Sequence, residues 1–164
     1  MSDPEVRDKN IEYAIDATVL IDNFEGKANV RSWLHGVIES ETTILTTPTI
    51  VIEFARYLRF AKNLETSRLK QIVFTLSRTF SGFKITRQDS SDVFSVCQEL
   101  KRIDTQLNCH TGELTLLPIL RNPFVTFVSS DINALRAFIN SNRLDPRASP
   151  AQFYGMGKDA SMVQ

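Results

Sequence analysis

Phe124-Val125-Thr126-Phe127-Val128-Ser129-Ser130-Asp131 is the stretch that decides the fold. An apolar run with β-branched and aromatic residues reads as a buried strand. This one ends at Ser129-Ser130-Asp131, so an acid follows the strand. The same pairing occurs near the N-terminus, where Tyr13-Ala14-Ile15 runs into Asp16. A shorter run, Ile44-Leu45, leads to Glu53, and a further segment opens with Gly112-Glu113. In a parallel sheet the C-terminal ends of the strands share one edge, and ligands bind there. Four acids at the ends of such segments are therefore expected to meet.

Between these runs the apolar spacing switches to that of helices. Residues 11–17 read as a strand and Thr18 to Phe24 as a helical turn closed near Gly26. Asn29 to Ser40 has Val30, Trp33, Leu34, Val37 and Ile38 at helical spacing, with Trp33 a core residue. Thr42 to Thr46 is β-branched and reads as the second strand. Thr47-Pro48 starts a helix, with Thr at the cap and Pro in the first turn. Leu69, Ile72, Val73, Leu76 and Phe80 mark another helix, ended near Gly82. Phe83 to Thr86 is a short strand, and Asp89 to Leu107 a helix. Glu113 to Leu120 is a short helix weakened by Pro118, and Asp131 to Asn140 a last one. Strands alternating with helices give an α/β domain with a mainly parallel sheet. Residues 1–10 form a polar extension, 11–145 the domain, and 146–164 a tail, loose or docked.

Each acid has a structural explanation beside a functional one. Asp16 and Asp131 suit helix N-caps. Glu53 lies among Ile50, Val51, Ile52, Phe54 and Ala55, yet it also has Arg56 at i+3. Glu113 suits the first turn of a helix capped by Thr111, and Asp104 competes for its place. Asp22 reads as part of a solvated face. Taken together, the four acids suggest more, because clustered carboxylates repel unless a cation sits among them. Magnesium and manganese take oxygen ligands and keep waters, so a few converging carboxylates suffice. Metal-assisted phosphodiester cleavage is the chemistry such a site serves.

Composition narrows the rest. The chain has 164 residues, 42% hydrophobic, enough for one domain with a core of its own. Its 19 basic and 19 acidic residues cancel, so any nucleic-acid surface must be local. Arg56, Arg59 and Lys62, followed by Arg68, Lys70 and Arg78, supply such a cluster, interrupted only by Glu65. Tyr57 and Phe60 could stack on bases, although helical aromatics more often pack inward. Cys97 and Cys109 show no metal or disulfide spacing, which fits a reducing, cytoplasmic setting. Residues 1–10 do not read as a signal peptide, and no run approaches a membrane span. There is no GxGxxG and no GxxxxGK[ST]. Thr18 stands where an aspartyl-nucleophile phosphatase would want its second acid.

Four segments, in order, carry a resemblance. They are Tyr13-Ala14-Ile15-Asp16-Ala17-Thr18-Val19-Leu20-Ile21-Asp22, Thr47-Pro48-Thr49-Ile50-Val51-Ile52-Glu53-Phe54, Gly112-Glu113-Leu114-Thr115-Leu116-Leu117, and Phe127-Val128-Ser129-Ser130-Asp131, with 18 residues from Glu113 to Asp131. The chain resembles the PIN-domain nucleases, including VapC-like toxin ribonucleases, over residues 11 to about 140. The third segment looks like the variant in which Gly-Glu replaces the more usual Asp. It departs from the family in lacking small alanines after its acid and in carrying Pro118. The resemblance implies a three-layer α/β/α fold. It implies Asp16, Glu53, Glu113 and Asp131 as catalytic ligands of Mg2+ or Mn2+, with Thr18 assisting. It further implies an RNA substrate, an antitoxin partner and a homodimer through the helix around Trp33 or the one from Asp89. The alternative is a catalytically inactive module that binds RNA or protein.

Overall fold

Strand β1 (Glu12–Ile15) lies at the centre of the molecule and decides where everything else goes. It pairs in parallel with β2 (Ile44–Thr46) on one side and β4 (Val125–Ser129) on the other. The register sets Ile15 opposite Val128, so Asp16 comes level with the end of β4. Strand β3 (Phe83–Ile85) extends the sheet beside β2, and β5 (Ala151–Phe153) extends it beside β4. The order is β3-β2-β1-β4-β5, and every pairing is parallel. This computed structural model describes residues 12–79, 82–103, 111–122, 124–131, 134 and 151–153.

The helices that return the chain between parallel strands are α1 (Ala17–Phe24), α2 (Ala28–Glu39), α3 (Pro48–Phe60), α4 (Thr66–Thr79) and α5 (Ser90–Ile103). Two single turns follow, α6 (Thr111–Leu114) and α7 (Leu117–Leu120). Together they give a three-layer α/β/α arrangement. The single helix expected from Glu113 to Leu120 is two turns because Pro118 cannot continue one. Its ring would meet the carbonyl of Leu114, so the chain breaks at Thr115-Leu116 and restarts with Pro118 in the first turn of α7. Strand β5 had no sequence signal: three residues, Ala-Gln-Phe, are too few for a pattern. The helix expected from Asp131 to Asn140 falls outside the described residues except for its start and Ala134.

The core runs from Ile15, Leu20 and Ile44 through Ile50, Phe54 and Leu58 to Leu116, Leu120, Phe127 and Val128. Each such side chain contributes about 1.5–3 kcal/mol by leaving water. All five residues of β4 are buried, as befits a strand covered on both faces. Trp33 packs edge-on against Tyr13, 5.4 Å between ring centroids, so it belongs to the core margin as expected.

Candidate active site

Asp16 follows β1 and caps α1. Its Oδ1 accepts from the Thr18 N–H at 3.1 Å, from the Val19 N–H at 3.4 Å, and from the Thr18 hydroxyl at 2.5 Å. The capping explanation therefore holds, but it does not exhaust the residue. The carboxylate is only 1% exposed, and its second oxygen, Oδ2, accepts a 2.5 Å bond from the Ser129 hydroxyl. Burial holds the Asp16 carboxyl above the usual carboxylate range, against hydrogen bonds from Ser129, Thr18, the Val19 amide and Glu113.

Thr18 and Ser129 act as a pair. Each gives its hydroxyl proton to one oxygen of Asp16, and each accepts a backbone N–H from the loop after β4. Thr18 Oγ1 accepts from Ser130 N at 3.0 Å, and Ser129 Oγ from Asp131 N at 2.9 Å. With both protons committed to Asp16, the 3.3 Å approach of the two hydroxyl oxygens is a contact rather than a bond. The network fixes Asp16 and places the backbone of Asp131 one hydroxyl away from it. Ser129 was not singled out from the sequence, because its role depends on the β1–β4 register.

The other two acids come from α6 and α3. Glu113, on α6, is 2% exposed and hydrogen-bonds the Asp16 carboxyl. A carboxyl–carboxyl hydrogen bond requires a proton on one partner or a cation in its place. Glu53, on α3, accepts the Gly112 N–H at 2.9 Å, directly beside Glu113. Gly112 has no side chain for a reason: a Cβ there would stand 2.8 Å from the Glu53 carboxyl carbon. The Gly-Glu pair thus reads as a seat for Glu53. A hydroxyl chain secures this turn, with Thr47 bonding Thr115 at 2.5 Å and Thr115 bonding the Gly112 carbonyl at 2.5 Å.

The edge therefore brings Asp16 and Glu113 into contact, sets Glu53 next to Glu113 through Gly112, and sets Asp131 next to Asp16 through Ser129. Among the described residues, no three acidic, His or Cys groups are gathered closely enough to form a ready-made cage. Asp104 lies outside the described residues. Asp22 corrects the expectation of a solvated face: it is buried in α1 and paired with Lys27 at 2.7 Å. The turn at Gly26 brings Lys27 back to it, with the Lys27 N–H bonding the Asp22 carbonyl.

The basic cluster divides. Arg56 and Arg59 are exposed on α3, and Arg59 also donates to the Asn63 side chain at 3.2 Å. Lys62 pairs with Glu25 at 2.6 Å. Tyr57 donates to the same carboxylate and rests against the core. Hydrogen bonds from Lys62 and Tyr57 hold Glu25 below the usual carboxylate range, while Glu25 raises both partners. Phe60 does not pack inward; it is 78% exposed.

No family model matches the chain, and no curated protein matches it. Solved structures do. DNA-bound VapBC from Salmonella typhimurium superposes with a TM-score of 0.59 at 14% identity, covering 88% of this chain and 98% of that one. PAE2754 from Pyrobaculum aerophilum gives 0.53 at 13% identity, covering 78% of this chain and 85% of that one. Identities this low establish architecture and not activity. In fold, a sheet of five parallel strands between helical layers, the chain is PIN-like.

Proposed function

We propose that the chain is a divalent-metal-dependent endoribonuclease whose site is built by Asp16, Glu53, Glu113 and Asp131. The observation that carries this is the contact of two buried carboxyls, Asp16 and Glu113, at the C-terminal edge of the sheet. Burying two acids together costs stability and serves no packing need, so the arrangement calls for a positive partner. The donors are all oxygen, the set that Mg2+ and Mn2+ prefer. Mg2+ commonly takes one or two carboxylates and keeps its waters, which fits a contacting pair with two further acids a step away. Such an ion supplies Lewis acidity, lowering the pKa of a water and offsetting the charge of the scissile phosphate.

The chain's own residues do the positioning. Thr18 and Ser129 hold Asp16 with both hydroxyl protons, so its carboxylate cannot turn. Gly112 seats Glu53, and the Ser129 hydroxyl fixes the backbone at Asp131. Arg56 and Arg59 supply phosphate contacts from α3. Lys62, paired with Glu25, supplies less. A toxin role with an antitoxin protein as partner, a homodimer and a cytoplasmic setting extend this reading. For the homodimer, α5 offers exposed Val93 and Phe94. The Trp33 side chain is turned to the core margin and offers less. No described helix is long and apolar enough to cross a membrane.

The absence of a ready-made three-ligand cage among the described residues favours a second reading, an inactive RNA-binding or protein-binding module. Incubation of a labelled single-stranded RNA with Mn2+ separates the two. The nuclease reading expects cleavage that chelator stops and that Asp16→Asn and Asp131→Asn abolish. Equal cleavage by the parent and both variants sinks it.

A further inference from the structure

The hairpin of α3 and α4 differs in charge from the rest of the chain. From Arg56 to Arg78 the sequence carries six cations, Arg56, Arg59, Lys62, Arg68, Lys70 and Arg78, against one acid, Glu65. The chain as a whole is neutral. Two large aromatic rings stand out of this surface: Phe60 at 78% exposure and Phe74 at 49%. Both have cations beside them. The Arg59 guanidinium lies 6.0 Å from the centre of Phe60; Lys70 and Arg78 lie 5.9 and 5.7 Å from the centre of Phe74. All three of these contacts fall on this hairpin. Each is near the outer limit of such attraction, about 6 Å, so the rings keep area to offer.

An exposed phenyl ring flanked by cations costs free energy unless something covers it. The chemistry that fits has flat apolar faces joined by anions. Phe74 also belongs to a surface depression of about 520 Å3, bordered by Ser67, Lys70, Gln71, Thr75 and Arg78. No acid is among those bordering residues. Glu53 and Phe60 share α3, seven residues apart in the sequence. At about 1.5 Å of rise per residue, the first ring lies roughly 10 Å along the helix from the acid.

We propose that the α3–α4 hairpin binds single-stranded RNA, with Phe60 and Phe74 as stacking platforms for unpaired bases and Arg56, Arg59, Lys70 and Arg78 as phosphate contacts. Stacking tolerates any base, so the surface recognises unpaired character rather than sequence. The proposal rests on the nuclease reading only in choosing RNA as the polymer; the surface itself is independent of the acids.

Fluorescence anisotropy with a labelled oligouridylate of about 12 nucleotides tests it, using the full chain in chelator so that nothing is cleaved. Phe60→Leu and Phe74→Leu keep apolar bulk but lose the π face. Each should weaken binding by about 5- to 100-fold, and Phe→Trp at either position should restore it. Lys70→Ala and Arg78→Ala should each reduce the slope of log affinity against log salt by about 0.7. Unchanged affinity in both Leu variants overturns the proposal, as does equal affinity for the same sequence in a duplex. Tighter binding of polyglutamate than of oligouridylate overturns it in favour of an acidic protein partner. Stronger binding of single-stranded DNA overturns the choice of RNA. Binding in chelator without Mn2+-dependent cleavage leaves this surface standing and removes the nuclease reading; the reverse result removes this surface alone.

Discussion

Replacing Gly112 with Ala separates two opposing effects whose sizes follow from the structure. On a bare helix Ala is favoured over Gly by about 1 kcal/mol, and Gly112 lies in α6. Against this, the new Cβ would stand 2.8 Å from the Glu53 carboxyl carbon, so Glu53 must swing away. It then loses the 2.9 Å bond from the Gly112 N–H and leaves that buried amide unpartnered. A hydrogen bond to a charged group is worth about 1.5–3 kcal/mol. The balance is a destabilisation of about 0.5–2 kcal/mol, or a Tm lower by about 1–8 °C for a chain of this size. In a Glu53→Ala background the space is free, and Gly112→Ala should become stabilising by up to about 1 kcal/mol. The sign of the effect therefore reverses between backgrounds, with a coupling of about 1.5–3 kcal/mol. Urea denaturation of the four proteins reads it. A coupling below about 0.5 kcal/mol would show that Glu53 does not lie on Gly112 and would remove the physical basis for the Gly-Glu pair.

Other outcomes follow from the same geometry. Ser129→Ala removes the donor to Asp16 and the acceptor for the Asp131 N–H, and should cost about 2–4 kcal/mol in urea denaturation; a loss under about 0.5 kcal/mol contradicts the network. Asp16 has its pKa raised in the folded state. The native protein therefore holds more protons than the unfolded chain above the ordinary value of 3.8, and metal-free stability falls as pH rises through that window. Asp16→Asn should flatten that fall and raise the metal-free Tm at neutral pH; a lowered Tm would show that the carboxylate is held for stability. Lys62→Ala should leave the urea midpoint almost unmoved, because its bond to Glu25 is at the surface and screened by solvent. It should weaken RNA binding less than Arg56→Ala does, and the opposite order contradicts the division of the basic cluster.

Much of the fold was readable in the residues, and the reasons differ by element. The strands at Tyr13–Ile15 and Val125–Val128 are apolar runs too short for helices, and helical spacing between them left parallel pairing as the economical arrangement. Pro118 announced a weak point, and the helix breaks there. What stayed hidden depends on contacts between distant segments. Ser129 acquires its partner only through the β1–β4 register. Gly112 is an ordinary turn residue until α3 packs against α6 and brings Glu53 to it. Asp22 reads as solvated because its neighbours in sequence are mixed, yet the turn at Gly26 folds Lys27 onto it and closes it off. Phe60 shows the opposite failure: the rule that helical aromatics pack inward holds for Phe54 and Tyr57 and breaks at the last residue of α3, where the core has ended.

Anomalous diffraction from crystals soaked in Mn2+ tests the central claim most directly. The expected result is a manganese peak beside Asp16 and Glu113, the two residues that would hold the ion, with the hydrogen bond between them lost. A saturating soak that leaves this edge without a peak, or puts the ion elsewhere while Asp16 and Glu113 remain hydrogen-bonded, contradicts it.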